Sequence, residues 1–327
     1  EIVVDFPFKN AASRVGCWAM LLAPVIRPAI TGNVPMFLIV SPVERSGKTK
    51  LAEEVLGRII LGECTPAMQF SGNDEERDKR ILAMLMRGYQ AMHLDNLTDY
   101  LDSPALASLI TSSAYTGRVL GRSELVSMPM RTILVGSGNN TRASGEIGKR
   151  TVPIELEPST STPELRSGFV HDPIESYLDK IRPRALCALI VLVERWIERG
   201  MPAGPARFGG FESWVATSGG ILAGTEFLEN RQAHVEAADQ DGADMKALVS
   251  AWWTKFQGER VTVSDLHQII VAEGLFPVRV LTKPTEIGQR TAAGILLRKV
   301  LGRVFDGRTI ARTGSSSAAW YSQVSDG

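Results

Sequence analysis

The junction at residues 36–49 constrains the fold more than any other part of the chain. Met36-Phe37-Leu38-Ile39-Val40 is an unbroken apolar run. Such a run suits a strand covered on both faces, as in a parallel sheet, because a strand with one wet face would alternate. It passes directly into Ser41-Pro42-Val43-Glu44-Arg45-Ser46-Gly47-Lys48-Thr49 and then into a helical stretch from Lys48 to Leu61. Strand, loop and helix in that order are the setting of a phosphate-binding Walker A loop. Backbone N–H groups of Ser46 and Gly47 and of the helix start can surround an anionic triphosphate. Lys48 would reach the β- and γ-phosphates of ATP, and Thr49 would hold Mg²⁺ through its hydroxyl. Two departures from G-x-x-x-x-G-K-[ST] stand out: Pro42 replaces the first glycine, and Glu44 and Arg45 lie inside the loop.

A triphosphate there needs groups from neighbouring strands. Gln90-Ala91-Met92-His93-Leu94 is a second buried run, and it ends at Asp95, whose carboxylate can orient Mg²⁺ and water. The next residue, Asn96, stands where many such enzymes carry a glutamate base. Asn96 cannot accept a proton, so either it positions water or Glu44, Glu75 or Glu76 acts as base. A third run, Thr132-Ile133-Leu134-Val135, leads to Gly136-Ser137-Gly138-Asn139-Asn140. The Asn140 amide could hydrogen-bond the γ-phosphate or the attacking water; an ordinary asparagine turn is the competing reading. A fourth run, Val152 to Leu156, contains Pro153, which belongs at a sheet edge. Arg150 just before it is placed as an arginine finger reaching a neighbouring subunit's γ-phosphate, with Arg142 as the rival. Between Asp95 and Asn139, β-prone runs flank Gly121-Arg122-Ser123 and read as a hairpin. Arg118 and Arg122 are its candidates for gripping DNA phosphate.

Strands alternating with helices at residues 10–26, 48–61 and 74–87 argue for an α/β layered domain. Pro24 should kink the first helix or end it early. Glu157 to Pro163 reads as a linker. Beyond it a helix at 173–200, divided at Pro183, and another at 211–229 are expected, followed by a solvated acidic connector at 236–244. Helices at 244–257, 263–273 and 285–301, then short β-type runs around Gly314-Ser315-Ser316-Ser317, form the order of a winged helix. The expected domains are thus a P-loop core at 1–160, a helical region at 161–243 and a winged-helix-like domain at 244–327.

With 36 basic and 36 acidic residues the chain is neutral overall, which argues against a simple basic wrapper of nucleic acid. From Lys246 to Arg312, however, eleven basic residues face five acidic ones, a balance suited to phosphate contact. Cys17, Cys64 and Cys187 fit no disulfide or zinc pattern and suit a reducing cytoplasm; Cys17 and Cys187 are expected to be buried and Cys64 exposed. The apolar runs are too short and too proline-broken to cross a membrane, and no signal-peptide pattern opens the chain. The start at Glu1 suggests a fragment or processed form with an N-terminal part missing.

Taken together, Pro42 to Thr49, His93-Leu94-Asp95-Asn96, Arg118-Val119-Leu120-Gly121, Gly138-Asn139-Asn140 and Lys149-Arg150-Thr151-Val152-Pro153-Ile154 resemble the helicase domain of phage and mobile-element primase–helicases. That family is related to superfamily-three and MCM-like AAA+ ATPases. Phe211-Glu212-Ser213-Trp214 and Glu226-Phe227-Leu228-Glu229-Asn230 fit the same resemblance, which covers most of the chain. It implies a homohexamer or similar ring, ATP with Mg²⁺, single-stranded DNA in the pore, and an N-terminal primase or recruitment domain in longer relatives. A replication initiator or DNA loader without processive unwinding, and a DNA-binding scaffold with an inactive P-loop, are the alternatives.

Overall fold

The computed structural model describes residues 1–70, 74–97, 100–101, 103–118, 125–139, 141–257, 259–302, 304–305, 307–313 and 320–325. The chain divides into two compact units, Glu1–Val235 and Glu236–Gly327.

The first unit is built on a five-stranded sheet in the order β2-β3-β7-β1-β9, and every neighbouring pair is parallel. Its strands are β1 (Met36–Ser41), β2 (Ala67–Gln69), β3 (Ala91–Asp95), β7 (Ile133–Asn139) and β9 (Thr151–Glu155). Four of them are the apolar runs of the sequence; Met36 to Ile39 and Ala91, Met92 and Leu94 are fully buried. β9 forms an edge, where Pro153 costs no ladder bond on its free side. β2 escaped the sequence reading because three residues carry no periodicity. β7 is longer than expected: Gly136 to Asn139 continue the strand and do not form a turn.

Helix α1 (Ala11–Ile26) is capped by Asn10, whose side chain accepts from Ser13 N–H. It packs on β9, with Gly16 against Ile154 and the Pro153 carbonyl. Pro24 does not end it; the helix runs two residues further. The helix after the phosphate loop is wound with π-type hydrogen bonds over Lys50–Val55 and Gly57–Leu61. Gly57 allows the return loop at Glu63–Thr65 to lie against it, since a Cβ there would sit 2.2 Å from Thr65 N. Further on come α2 (Asp74–Met86) and the short strand β4 (Tyr100–Leu101), which pairs with β8 (Arg142–Ala143). Next are α3 (Pro104–Thr111), the antiparallel hairpin β5 (Ala114–Arg118) and β6 (Leu125–Pro129), and the single turn α4 (Gly145–Gly148). Helix α5 (Ile174–Glu198) runs unbroken through Pro183, contrary to the expected division. Pro183 frees the carbonyl of Asp179, and both residues are exposed, so the site is accessible to water that can take the place of the missing donor. Helix α6 stops at Ile221 (Glu212–Ile221), well short of residue 229. Both α5 and α6 belong to the first unit.

The second unit begins in the stretch expected to be a solvated connector. That expectation was wrong: apart from Asp239, which joins them, residues 236–244 lie in α7 (Arg231–Ala238) and α8 (Gln240–Phe256). Asp244 is buried and accepts from Phe276 N–H at 2.6 Å, so one of the acids there is a structural anchor. Helices α9 (Val263–Ala272) and α10 (Glu286–Lys299) and an antiparallel sheet of β10 (Val304–Phe305), β11 (Arg308–Thr313) and β12 (Trp320–Ser325) complete it. A capping box of Thr262 and Asp265 starts α9. Trp252, Leu266, Leu297, Ile310 and Tyr321 form the core of this unit.

Cys17 is buried, and burial pushes its thiol up to about 12. Cys64 is exposed as expected, but so is Cys187, on the open side of α5. Among the described residues no helix is long and apolar enough to cross a membrane.

Candidate functional site

Parallel strands put all their carboxyl ends at one edge of the sheet. The chain leaves β1 for the far strand β2, returns through β3 and β7, and then passes beyond β1 to β9. The strand order therefore reverses at β1, and the crevice outside such a reversal is where open α/β sheets bind ligands. The register fixes what meets there. Ser41 lies level with Asn139, and Leu94 is level with Gly136, so Asp95 stands one step further, beside Ser137.

The loop after β1 turns on Gly47, whose φ of 96° belongs to the left-handed region, while the Phe6 ring lies 3.3 Å from where a Cβ would be. A side chain at 47 would meet both obstacles. The turn brings Lys48 back over the loop, where its ammonium donates to the Val43 carbonyl at 3.2 Å and to Ser46 Oγ at 3.1 Å. Lys48 is only 8% exposed. Burial lowers its pKa, while the charges of Glu44 and Asp95 pull it back up, which places the ammonium in the field of both carboxylates. Among the described residues no carboxylate forms an ion pair with it. Thr49, one residue on, is exposed at the head of the helix.

Asp95 accepts a hydrogen bond from Ser137 Oγ at 2.9 Å. Ser137 Oγ is also 2.9 Å from His93 Nε2, and His93 Nδ1 is 2.8 Å from Glu53 Oε1 on the π-wound helix. The sequence reading passed over Glu53, His93 and Ser137. Their signal was present as a histidine two residues before Asp95, hence on the same strand face, in an otherwise apolar run.

Asn139 ends β7, and among the described residues its buried Oδ1 has no hydrogen-bond partner. Side chains alternate along a strand, so Asn139 shares the face of Ser137 and therefore of Asp95. Asn140, the amide chosen from the sequence, lies outside the described residues, as does Arg122. Arg118 closes β5 opposite Leu125. Asn96 is exposed and left-handed, with φ 54°, a conformation that asparagine tolerates.

Arg150 lies elsewhere. Its carbonyl accepts from Met36 N–H at the amino end of β1, and its guanidinium pairs with Glu146 at 2.7 Å. At about 3.3 Å per residue, the length of β1 puts it roughly 20 Å from the loop. Lys48, Asp95 and Asn139 thus share one edge, and Arg150 occupies the other.

Beside the loop is a cavity of about 340 Å³ lined by Phe6, Arg45, Gly47, Phe169, His171 and Ile174 among others. Asp5 shapes its wall by accepting from the backbone N–H groups of Val170 and His171 at 2.9 and 3.0 Å. His171 stacks on Tyr177, and its buried Nε2 has no partner among the described residues.

Among the described residues no group of three or more His, Cys, Asp or Glu side chains forms a metal cage. The hard oxygens of Thr49 and Asp95 suit Mg²⁺, which takes one or two protein ligands and completes its shell with water and phosphate.

No family model and no curated protein matches the sequence. Among solved structures, the chain resembles the C-terminal region of NrS-1, with a TM-score of 0.46 and 11% identity over 99% of this chain and 74% of that one. It also resembles SCCmec type IV Cch, an active helicase, with a TM-score of 0.40 and 13% identity over 99% of this chain and 69% of that one. Superpositions this loose carry no weight for activity, which has to be argued from the chain's own residues.

Proposed function

We propose that this chain is an ATP-hydrolysing DNA helicase motor of the AAA+ type that works as a ring on single-stranded DNA. The observation that carries the nucleotide site is the buried Lys48 ammonium, held by two neutral oxygens and facing the crevice edge that also bears Asp95 and Asn139. A buried cation that feels Glu44 and Asp95 only at a distance and forms no ion pair among the described residues is costly, and a triphosphate on the loop would supply a direct counter-charge. The cavity beside Gly47 accepts the nucleobase between Phe6 and Phe169. Thr49 and Asp95 would hold Mg²⁺, which neutralises charge on the phosphate oxygens when bound. Lys48 contacts the β- and γ-phosphates. An amide at the end of β7, Asn139 or Asn140, holds the γ-phosphate or the attacking water, and Asn96 orients that water.

The ring is supported by Arg150. Set on the opposite edge of the sheet, it is out of reach of its own nucleotide, and on this reading it would leave Glu146 to complete a neighbour's. The hairpin β5–β6, inserted between β3 and β7, carries Arg118 and Arg122 as the proposed grip on the DNA strand. The second unit, three helices followed by an antiparallel sheet, would serve as a winged-helix-like DNA-contacting module.

Purified protein tests this directly. ATP-dependent displacement of a labelled strand, lost in Lys48→Ala and in the Arg118→Ala/Arg122→Ala double variant, is the expected result. ATP hydrolysis and DNA binding without displacement would replace the helicase with a loader. DNA binding with no hydrolysis would leave only a scaffold.

A further inference from the structure

We propose that His93 is a positioning residue. On this view a buried hydrogen-bond chain from Glu53 through His93 and Ser137 holds the Asp95 carboxylate in one orientation and ties it to the helix that follows the phosphate loop. The proposal rests on the nucleotide-site reading above and adds a device that reading does not require.

The chain crosses three elements. Glu53 is on the π-wound helix, His93 on β3 and Ser137 on β7. The links measure 2.8 Å from Glu53 to His93, 2.9 Å from His93 to Ser137 and 2.9 Å from Ser137 to Asp95. His93 is fully buried and Ser137 is 1% exposed. A buried imidazole is retained at a desolvation cost unless its nitrogens are bonded, and here both are. The Ser137 hydroxyl donates to Asp95, its oxygen lies within hydrogen-bond reach of His93 Nε2, and the roles of the two ring nitrogens follow the tautomer.

Ser137 engages Oδ1 of Asp95, and among the described residues Oδ2 has no hydrogen bond. Glu53 lies one helical turn beyond Thr49. The two oxygen ligands proposed for Mg²⁺ therefore hang from one connected frame, Thr49 through the helix backbone and Asp95 through the His93 chain. Outer-sphere partners of this kind orient a ligating carboxylate, and their loss typically costs 10–100-fold in metal affinity or activity. A packing role alone would need only an apolar side chain of similar volume.

Three variants test the chain: His93→Leu removes both links, His93→Gln keeps a donor toward Ser137, and Ser137→Ala cuts the last link with little volume change. Nucleotide affinity is measured in EDTA with a fluorescent ATP analogue. Metal affinity in the protein–nucleotide complex is measured from the electron paramagnetic resonance of Mn²⁺, and turnover is measured separately. His93→Leu should lose about 10–100-fold in Mn²⁺ affinity and in kcat, with nucleotide affinity in EDTA unchanged and most of the loss restored in His93→Gln. Wild-type Mn²⁺ affinity and kcat in His93→Leu would overturn the proposal, and so would a His93→Gln variant as impaired as His93→Leu. Should His93→Leu fail to fold, Ser137→Ala carries the same expectation and the same refutation. If the wild-type protein binds no nucleotide, the site reading itself falls. If it binds nucleotide normally and the variants match it, only the positioning chain falls.

Discussion

Replacing Lys48 with methionine should make the ligand-free protein more stable and at the same time deaf to nucleotide. Lys48 is 8% exposed, and its ammonium is met by the Val43 carbonyl and Ser46 Oγ at 3.2 and 3.1 Å. Two neutral acceptors offset only part of the charge's lost hydration, and an incompletely satisfied buried group costs about 1–3 kcal/mol. Methionine keeps the apolar stem and drops the charged head. Allowing for the two hydrogen bonds given up, a net gain of about 1–2 kcal/mol is expected. In a unit of this size each kcal/mol moves Tm by about 2–4 °C, so Lys48→Met should melt roughly 2–8 °C above wild type. A non-hydrolysable ATP analogue with Mg²⁺ at a hundred times its Kd adds about 2.7 kcal/mol to the wild-type protein, an upward shift of roughly 5–11 °C. The variant should show no such shift. Differential scanning calorimetry with and without the analogue reads both effects on the transition that responds to nucleotide. A lower Tm in the ligand-free variant, or a ligand shift equal to wild type, would refute the claim that Lys48 awaits an anion.

Three further outcomes are expected. Asn139→Ala should bind nucleotide as wild type does, yet lose about 10²–10³ in kcat, the usual effect of removing one preorganised polar contact from a reacting group; phosphate release at wild-type rate would return the role to Asn140. Arg150→Ala should lower turnover by about 10³ or more and should recover partly when mixed with Asp95→Ala subunits that retain Arg150; no recovery at any ratio would argue against a finger acting between subunits. His234 should make stability depend on pH. Burial lowers its pKa from 6.5 to about 4, with Glu155 opposing and Arg231 assisting, and its Nε2 meets Thr151 Oγ1 at 2.9 Å. The unfolded chain therefore takes the proton first, so stability is full above pH 6.5 and is lost as pH falls toward 4, by at most about 3 kcal/mol. His234→Asn should flatten the dependence of Tm on pH across that window, and an unchanged slope would assign the loss to other groups.

The division between what the sequence made legible and what it hid follows from how each interaction is encoded. A strand buried on both faces must be apolar throughout, so β1, β3, β7 and β9 are visible one by one, and Pro153 even marks β9 as an edge. Gly47 and Lys48 are visible because the phosphate loop is local: its turn, cation and helix start lie within a few residues. Asp95 is visible as the polar end of an apolar run. What joins these parts is strand register, and register is set between residues far apart in the chain. A single step of register decides whether Asn139 or Asn140 faces Asp95, and Gly136 and Gly138 made the end of β7 look like a turn. The same holds for Glu53, His93 and Ser137, which are separated by 40 and 44 positions and have no shared motif. Helix interruptions misled for the opposite reason. Pro24 and Pro183 are strong local signals, but a proline frees only one carbonyl, and where water can reach it, as at Asp179, packing of the remaining turns outweighs the loss. Asp244 shows the limit of composition: four acids in a short stretch suggested a solvated connector, whereas one of them is buried to receive the Phe276 amide. An acidic run is readable as surface only when none of its members has a distant backbone donor, and that donor is found through the fold, not the spacing.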